Sequence, residues 1–320
     1  MTLRVLSRPE PLSADDLAAY AHLDVGVVSL PAPVRWVELT GEKAVDALNG
    51  LITNDVSTLA EGASMRAVAL TPKGKVLADL RVLRQGATQL ALIMDDESAE
   101  AFVAMARKYV NPRLAVVRDV TAEGRCWWLV GAGLSSLGAL PTGVTGVARD
   151  DFGDRPSMLL RAVHADVAAV EAWLAQHTSV AGSTALGEVL RVEAGQPAFG
   201  LDMDDATIPQ EANLDTLGAI SFSKGCYTGQ ETVARVHFRG HVNRHLRGLR
   251  ALTAIPGGAS LVDQDGKAVG DVRSTVLSPT FGAIALGMIR REIAEGATVM
   301  IQPPEGSAFE ATVTVLPFSG

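Results

Sequence analysis

An α+β body followed by a small C-terminal β-barrel is the fold class that this 320-residue sequence predicts. Three observations carry it. Four segments before residue 196 repeat apolar residues at helical spacing, and short runs with strand character lie between them. Beyond Leu246 the helical period disappears. There "PGG" at Pro256 to Gly258, "DG" at Asp265-Gly266, Pro279, Gly282 and Pro303-Pro304 punctuate short β-rich runs, as in a small closed barrel. The predicted boundary lies near Val242, giving a body over 1–242, with roughly 46–117 as one lobe, and a barrel over 243–320.

In chain order, Thr40 is the predicted cap of a helix that puts Ala44, Val45, Leu48 and Leu51 on one face, before "TND" at Thr53 to Asp55 ends it. Met65 to Leu70 and Lys75 to Leu83 read as strands of a hairpin turned by "TPKG". Leu90 to Met94 is a further strand. Asp95 and Asp96 then open a helix carrying Ala99, Phe102, Val103, Ala106 and Val110, which Asn111-Pro112 stops. Leu114 to Val120, Trp127 to Val130 and Met158 to Val163 are strands. Asp166 opens a helix with Val167, Val170, Trp173 and Leu174 inward. Ser183 opens another through Leu186, Val189 and Leu190, and Gly195 closes it.

Composition narrows the class of function. The chain is 48% apolar and 20% charged, with a net charge of −8, which opposes a general nucleic-acid binder and makes such a partner unlikely. No apolar run approaches the roughly 18 residues of a membrane span. The opening "MTLRVLSRPEPLSADD" lacks the apolar core of a signal peptide. Cys126 and Cys226 are the only cysteines, and they suggest no disulfide framework. The expectation is a soluble protein of the cytoplasm.

The chemistry concentrates in "SKGCYTGQETVAR", Ser223 to Arg235. Gly225 and Gly229 permit a tight loop around Cys226, and Lys224 and Arg235 are cations able to favour a thiolate, which Glu231 would oppose. The competing reading is a small buried residue that happens to contain sulfur. The following strip, Val233 to Arg250, holds five arginines and three histidines with no acid. Alternation from Arg235 to Arg239, followed by Gly240, predicts an extended segment, so the spacing of His237, His241 and His245 makes no metal site. Asp79 falls at an apolar strand position and needs a partner, either Arg81 or a ligand. Arg191, Glu193 and Glu211 lie close to glycines and Pro209 without forming a self-sufficient motif.

In this order the segments resemble the YgfZ/GcvT family of folate-binding proteins. Lys224-Gly225-Cys226-Tyr227-Thr228-Gly229-Gln230-Glu231 is similar to the signature of the YgfZ branch, Lys-Gly-Cys-Tyr-x-Gly-Gln-Glu. "LNGLITNDV", which contains Asn54, "LTPKGKVLADLRV", and "LRVEAGQPAFGLDM" leading into "IPQEANL" are further collinear matches. The resemblance implies several lobes around a central cavity that holds tetrahydrofolate or a folate derivative. Asn54, Asp79, Arg191, Glu193 and Glu211 are then its contacts, with Asp79 nearest the reactive nitrogens. It also implies an accessory role in assembly or repair of iron–sulfur clusters, with client or assembly proteins as partners, no resident metal, and Cys226 in redox or sulfur chemistry. The alternative it leaves is a folate-dependent aminomethyltransferase. Against that stand two departures: Ala78-Asp79 replaces a pair of aspartates, and "RDDFGDRPSML" stands where those enzymes carry Gly-Tyr-Thr-Gly-Glu.

Overall fold

The computed structural model describes residues 3–4, 8–178 and 180–319. Two compact units interleave along the sequence. One is built chiefly from Pro33–Gly124 and Ala198–Val242, the other from Arg4–Ala32, Arg125–Pro197 and Asn243–Gly320.

The first unit is organised by a five-stranded sheet in the order Ser64–Leu70, Val76–Gly86, Gln89–Asp95, Val34–Thr40, Val116–Asp119, antiparallel throughout. Side chains alternate across a strand, so each face of Ser64–Leu70 serves a different core. Ala67 and Ala69 join Leu80, Val82, Leu92 and Phe102 in the cluster beneath the helix Asp96–Tyr109. Val68 and Leu70 turn the other way and pack with Val76, Phe199, Met203, Tyr227 and Val233. The segment 198–242 therefore covers the second face of the sheet. The hairpin falls where "TPKG" predicts, with Thr71 N donating to Lys75 O and Gly74 at φ +73°.

Two expectations in this unit are corrected. The helix Ala44–Asn49 begins after Lys43, without Thr40 as its cap. The strip after the signature loop is not extended: Gln230–Arg239 is an α-helix, started by Gly229 in the left-handed region at φ +80° and ended at Gly240. Val233 is its one fully buried residue, which is why no apolar period marks it in the sequence.

The second unit combines a five-stranded sheet with a closed barrel. The sheet runs Val180–Ala181, Val28–Pro31, Gly124–Val130, Ser157–Val163, Val144–Arg149. The barrel closes six strands in the order Arg244–Ala251, Gly282–Arg290, Ala268–Ser278, Ser260–Val262, Thr298–Gln302, Phe309–Thr314, the last pairing with the first. Strand Gly282–Arg290 is buried along both faces. Ala285 and Ile289 point into the barrel with Leu249, Leu261 and Val313. Ile284, Leu286 and Met288 point outward and pack against Val189 and Val192 of the helix Thr184–Glu193. That helix is thus fixed on the barrel wall.

A further helix, Ala14–His22, gives no strong sequence signal. Ser13 caps it, and the carboxylate of buried Asp16 accepts from the backbone N and hydroxyl of Ser183, the cap of the helix Thr184–Glu193. One side chain therefore ties two helix starts together.

Candidate functional site

In the second unit the helix Thr184–Glu193 places Glu193 at its last turn, where the chain reverses through Gly195 at φ +67°. A Cβ on Gly195 would stand 2.7 Å from Cβ of Leu316, so the turn also needs glycine for space. The Glu193 side chain is 1% exposed. Its Oε1 accepts from Tyr20 OH at 2.9 Å and from Ser278 Oγ at 2.6 Å. Its Oε2 accepts no well-formed hydrogen bond and faces Arg155 Nη2 at 2.9 Å. Burial pushes the Tyr20 hydroxyl above its ordinary pKa, with a contact to Thr280 Oγ1 at 2.7 Å opposing the shift, so Tyr20 holds its proton as a donor.

Glu193 and Arg155 line a cavity of about 370 Å³ whose walls include Phe281, Phe318, Asp24 and Asp154. The guanidinium of Arg250 lies 5.0 Å and 5.7 Å from the rings of Phe281 and Phe318, bracing the aromatic wall. A buried carboxylate whose second oxygen faces a part-exposed guanidinium, flanked by aromatic rings, suits a planar ligand that presents N–H donors in that guanidinium's place. Arg191 points elsewhere. Its guanidinium bonds Glu188, the Gln196 carbonyl and Ser274 Oγ, which secures the helix end to the barrel.

In the first unit the signature loop divides into anchored and presented residues. Lys224 is buried, and its Nζ donates to the carbonyls of Asn49, Ile52 and Asn54 at 2.7, 2.9 and 2.8 Å, with Asn49 Oδ1 at 3.1 Å. Burial pushes this amine down to about 8, with Asp55 opposing. Tyr227 fills the apolar cluster behind the sheet, and burial pushes its hydroxyl up to about 12. Gly229 lies against the hairpin turn, where a Cβ would stand 2.5 Å from Thr71 O. Thr232 Oγ1 donates to Lys73 O, and Gln210 Nε2 donates to Val233 O, so the loop and its helix are pinned at both ends. Between those anchors Gly225, Cys226 and Glu231 are exposed, and so is Arg235 just beyond them.

Family models match both ends of the chain: the GCVT N-terminal domain over residues 24–137 and the glycine cleavage T-protein C-terminal barrel domain over residues 244–319. Proteins named tRNA-modifying protein YgfZ are similar along most of their length. That of Klebsiella pneumoniae is 31% identical, covering 72% of this chain and 71% of its own. That of Enterobacter sp. is 32% identical, with 78% and 77% covered. The chain belongs to the YgfZ family.

The crystal structure of glycine cleavage system aminomethyltransferase T from Bartonella henselae superposes with a TM-score of 0.82 at 22% identity, covering 95% of this chain and 89% of that one. The YgfZ-family chain thus has the GcvT-like fold: mixed helices and sheets with the closed six-stranded barrel.

Within this YgfZ-family chain, the other residues singled out in the sequence have defined partners. Asp79 is held by Arg66, through Nε at 3.0 Å and Nη2 at 2.5 Å, and not by Arg81. Register permits the pair: Val68 is opposite Asp79, so Arg66 lies on its diagonal and on the same face. Asn54 donates to the carbonyls of Arg66 and Gly218. Glu211 accepts from Ile208 N within its own turn. Lys224 is committed to the 49–54 carbonyls rather than to a thiol. The Cys126 thiol is half-buried and pushed up to about 11 by burial, which leaves Cys226 as the accessible sulfur.

Tyr20, Arg155, Ser278, Phe281 and Phe318 are the site residues that sequence reasoning missed. They come from four remote segments, and none sits in a recognisable motif. The one signal was Arg155 itself, a charged residue in the stretch "RDDFGDRPSML" that departs from the aminomethyltransferase pattern.

Proposed function

We propose that this YgfZ-family chain is a cytoplasmic, tetrahydrofolate-binding accessory protein that supports assembly or repair of iron–sulfur clusters in client enzymes. The observation that carries the folate reading is the buried Glu193 carboxylate at the wall of the 370 Å³ cavity, with Oε2 facing Arg155. A reduced pterin offers a planar edge of N–H donors, and a carboxylate accepts such an edge strongly. Tyr20 and Ser278 orient the acceptor, while Phe281 and Phe318 supply apolar walls. The proposal centres on Glu193 and leaves Asp79 to its Arg66 pair and Arg191 to the helix end.

The thiol half of the proposal rests on Cys226. Lys224, Tyr227 and Gly229 anchor the signature loop, and the residue they present is this exposed sulfur. Several relatives carry the name tRNA-modifying protein, which makes an iron–sulfur enzyme of tRNA modification a fitting client. The test replaces Cys226 by Ser in cells that depend on this chain. Client iron–sulfur enzyme activity falls to the level of the deletion strain while the protein's abundance is unchanged. Full client activity with Cys226→Ser removes the thiol from the account.

A further inference from the structure

We infer that Arg155 is an internal stand-in for the ligand's N–H edge, occupying the seat at Glu193 that the ligand takes by displacing it. The inference rests on the folate reading of that cavity and names the group that holds the seat when no ligand is bound.

The open face of Glu193 is defined by what already holds it. Oε1 is taken by Tyr20 and Ser278, so a ligand can approach only at Oε2. Arg155 Nη2 stands there at 2.9 Å, yet Oε2 accepts no well-formed hydrogen bond. A guanidinium is a planar N–C–N unit edged with donors, and the amino-pyrimidinone edge of a reduced pterin repeats that unit. The two groups therefore compete for one acceptor. Arg155 is also placed to leave. Its side chain is 29% exposed, it follows the turn through Gly153, and its further hold is on Tyr20, a long bond from Nη2 to the hydroxyl at 3.4 Å with the guanidinium 5.7 Å from the ring.

The experiment measures binding of 6-methyltetrahydropterin and tetrahydrofolate by calorimetry to the wild type, Arg155→Gln, Arg155→Ala and Glu193→Gln. It also records melting temperatures with and without millimolar guanidinium, using urea as the control. Removing the stand-in frees the seat, so both Arg155 variants bind 6-methyltetrahydropterin about tenfold tighter than wild type. Guanidinium raises the melting temperature of Arg155→Ala and leaves Glu193→Gln unchanged. If Arg155→Gln and Arg155→Ala weaken the pterin as Glu193→Gln does, and guanidinium rescues neither, Arg155 is a ligand contact and the stand-in is overturned. Unchanged tetrahydrofolate binding by Glu193→Gln instead removes the folate reading of this cavity. Should Arg155→Ala not fold, Arg155→Gln carries the same comparison.

Discussion

At the residue scale the signature loop makes opposite demands on two glycines. Gly229 combines φ +80° with a Cβ position 2.5 Å from a backbone oxygen. Gly229→Ala therefore costs about 2 kcal/mol or more in chemical denaturation. Gly225 has no atom within 4 Å of its Cβ position, so Gly225→Ala stays within about 0.5 kcal/mol. Lys224 adds a pH signature. Its folded pKa, about 8, lies below the ordinary lysine value of 10.5, so between these values the unfolded chain holds a proton that the folded chain has released. Stability contributed at this position accordingly rises with pH across that window. Lys224→Met leaves four oxygens without their donor and costs about 3 kcal/mol at pH 7. The gap between wild type and variant, measured by urea unfolding, widens from pH 7 to pH 10.

At the scale of elements, legibility followed burial pattern. The helices Asp96–Tyr109, Val167–His177 and Thr184–Glu193 were readable because each buries a regular apolar stripe. The helix Gln230–Arg239 was misread because polar residues line most of it and its start is a left-handed glycine, a loop signal in sequence terms. The outward face of the barrel strand Gly282–Arg290 has a structural task that periodicity alone does not reveal, since both faces are apolar. Leu286 is fully buried beneath the helix that bears Glu193. Leu286→Ala costs about 2–5 kcal/mol and loosens that helix, so tetrahydrofolate affinity falls together with the melting temperature.

For the whole molecule, the segment "LRVEAGQP" announced Glu193, and the Lys-Gly-Cys-Tyr loop announced the family. The rest of the cavity was hidden because the chain winds between its two units, so Tyr20, Arg155 and Ser278 reach Glu193 from up to 173 residues away in sequence. Local pattern carries no record of such meetings. The central claim is that Glu193 receives a reduced folate, and the most direct measurement is the thermal shift of wild type and Glu193→Gln with tetrahydrofolate. At about a hundred times its dissociation constant the ligand raises the wild-type melting temperature by about 5 °C. The account predicts that shift in the wild type and none in Glu193→Gln; equal shifts in both proteins would contradict it.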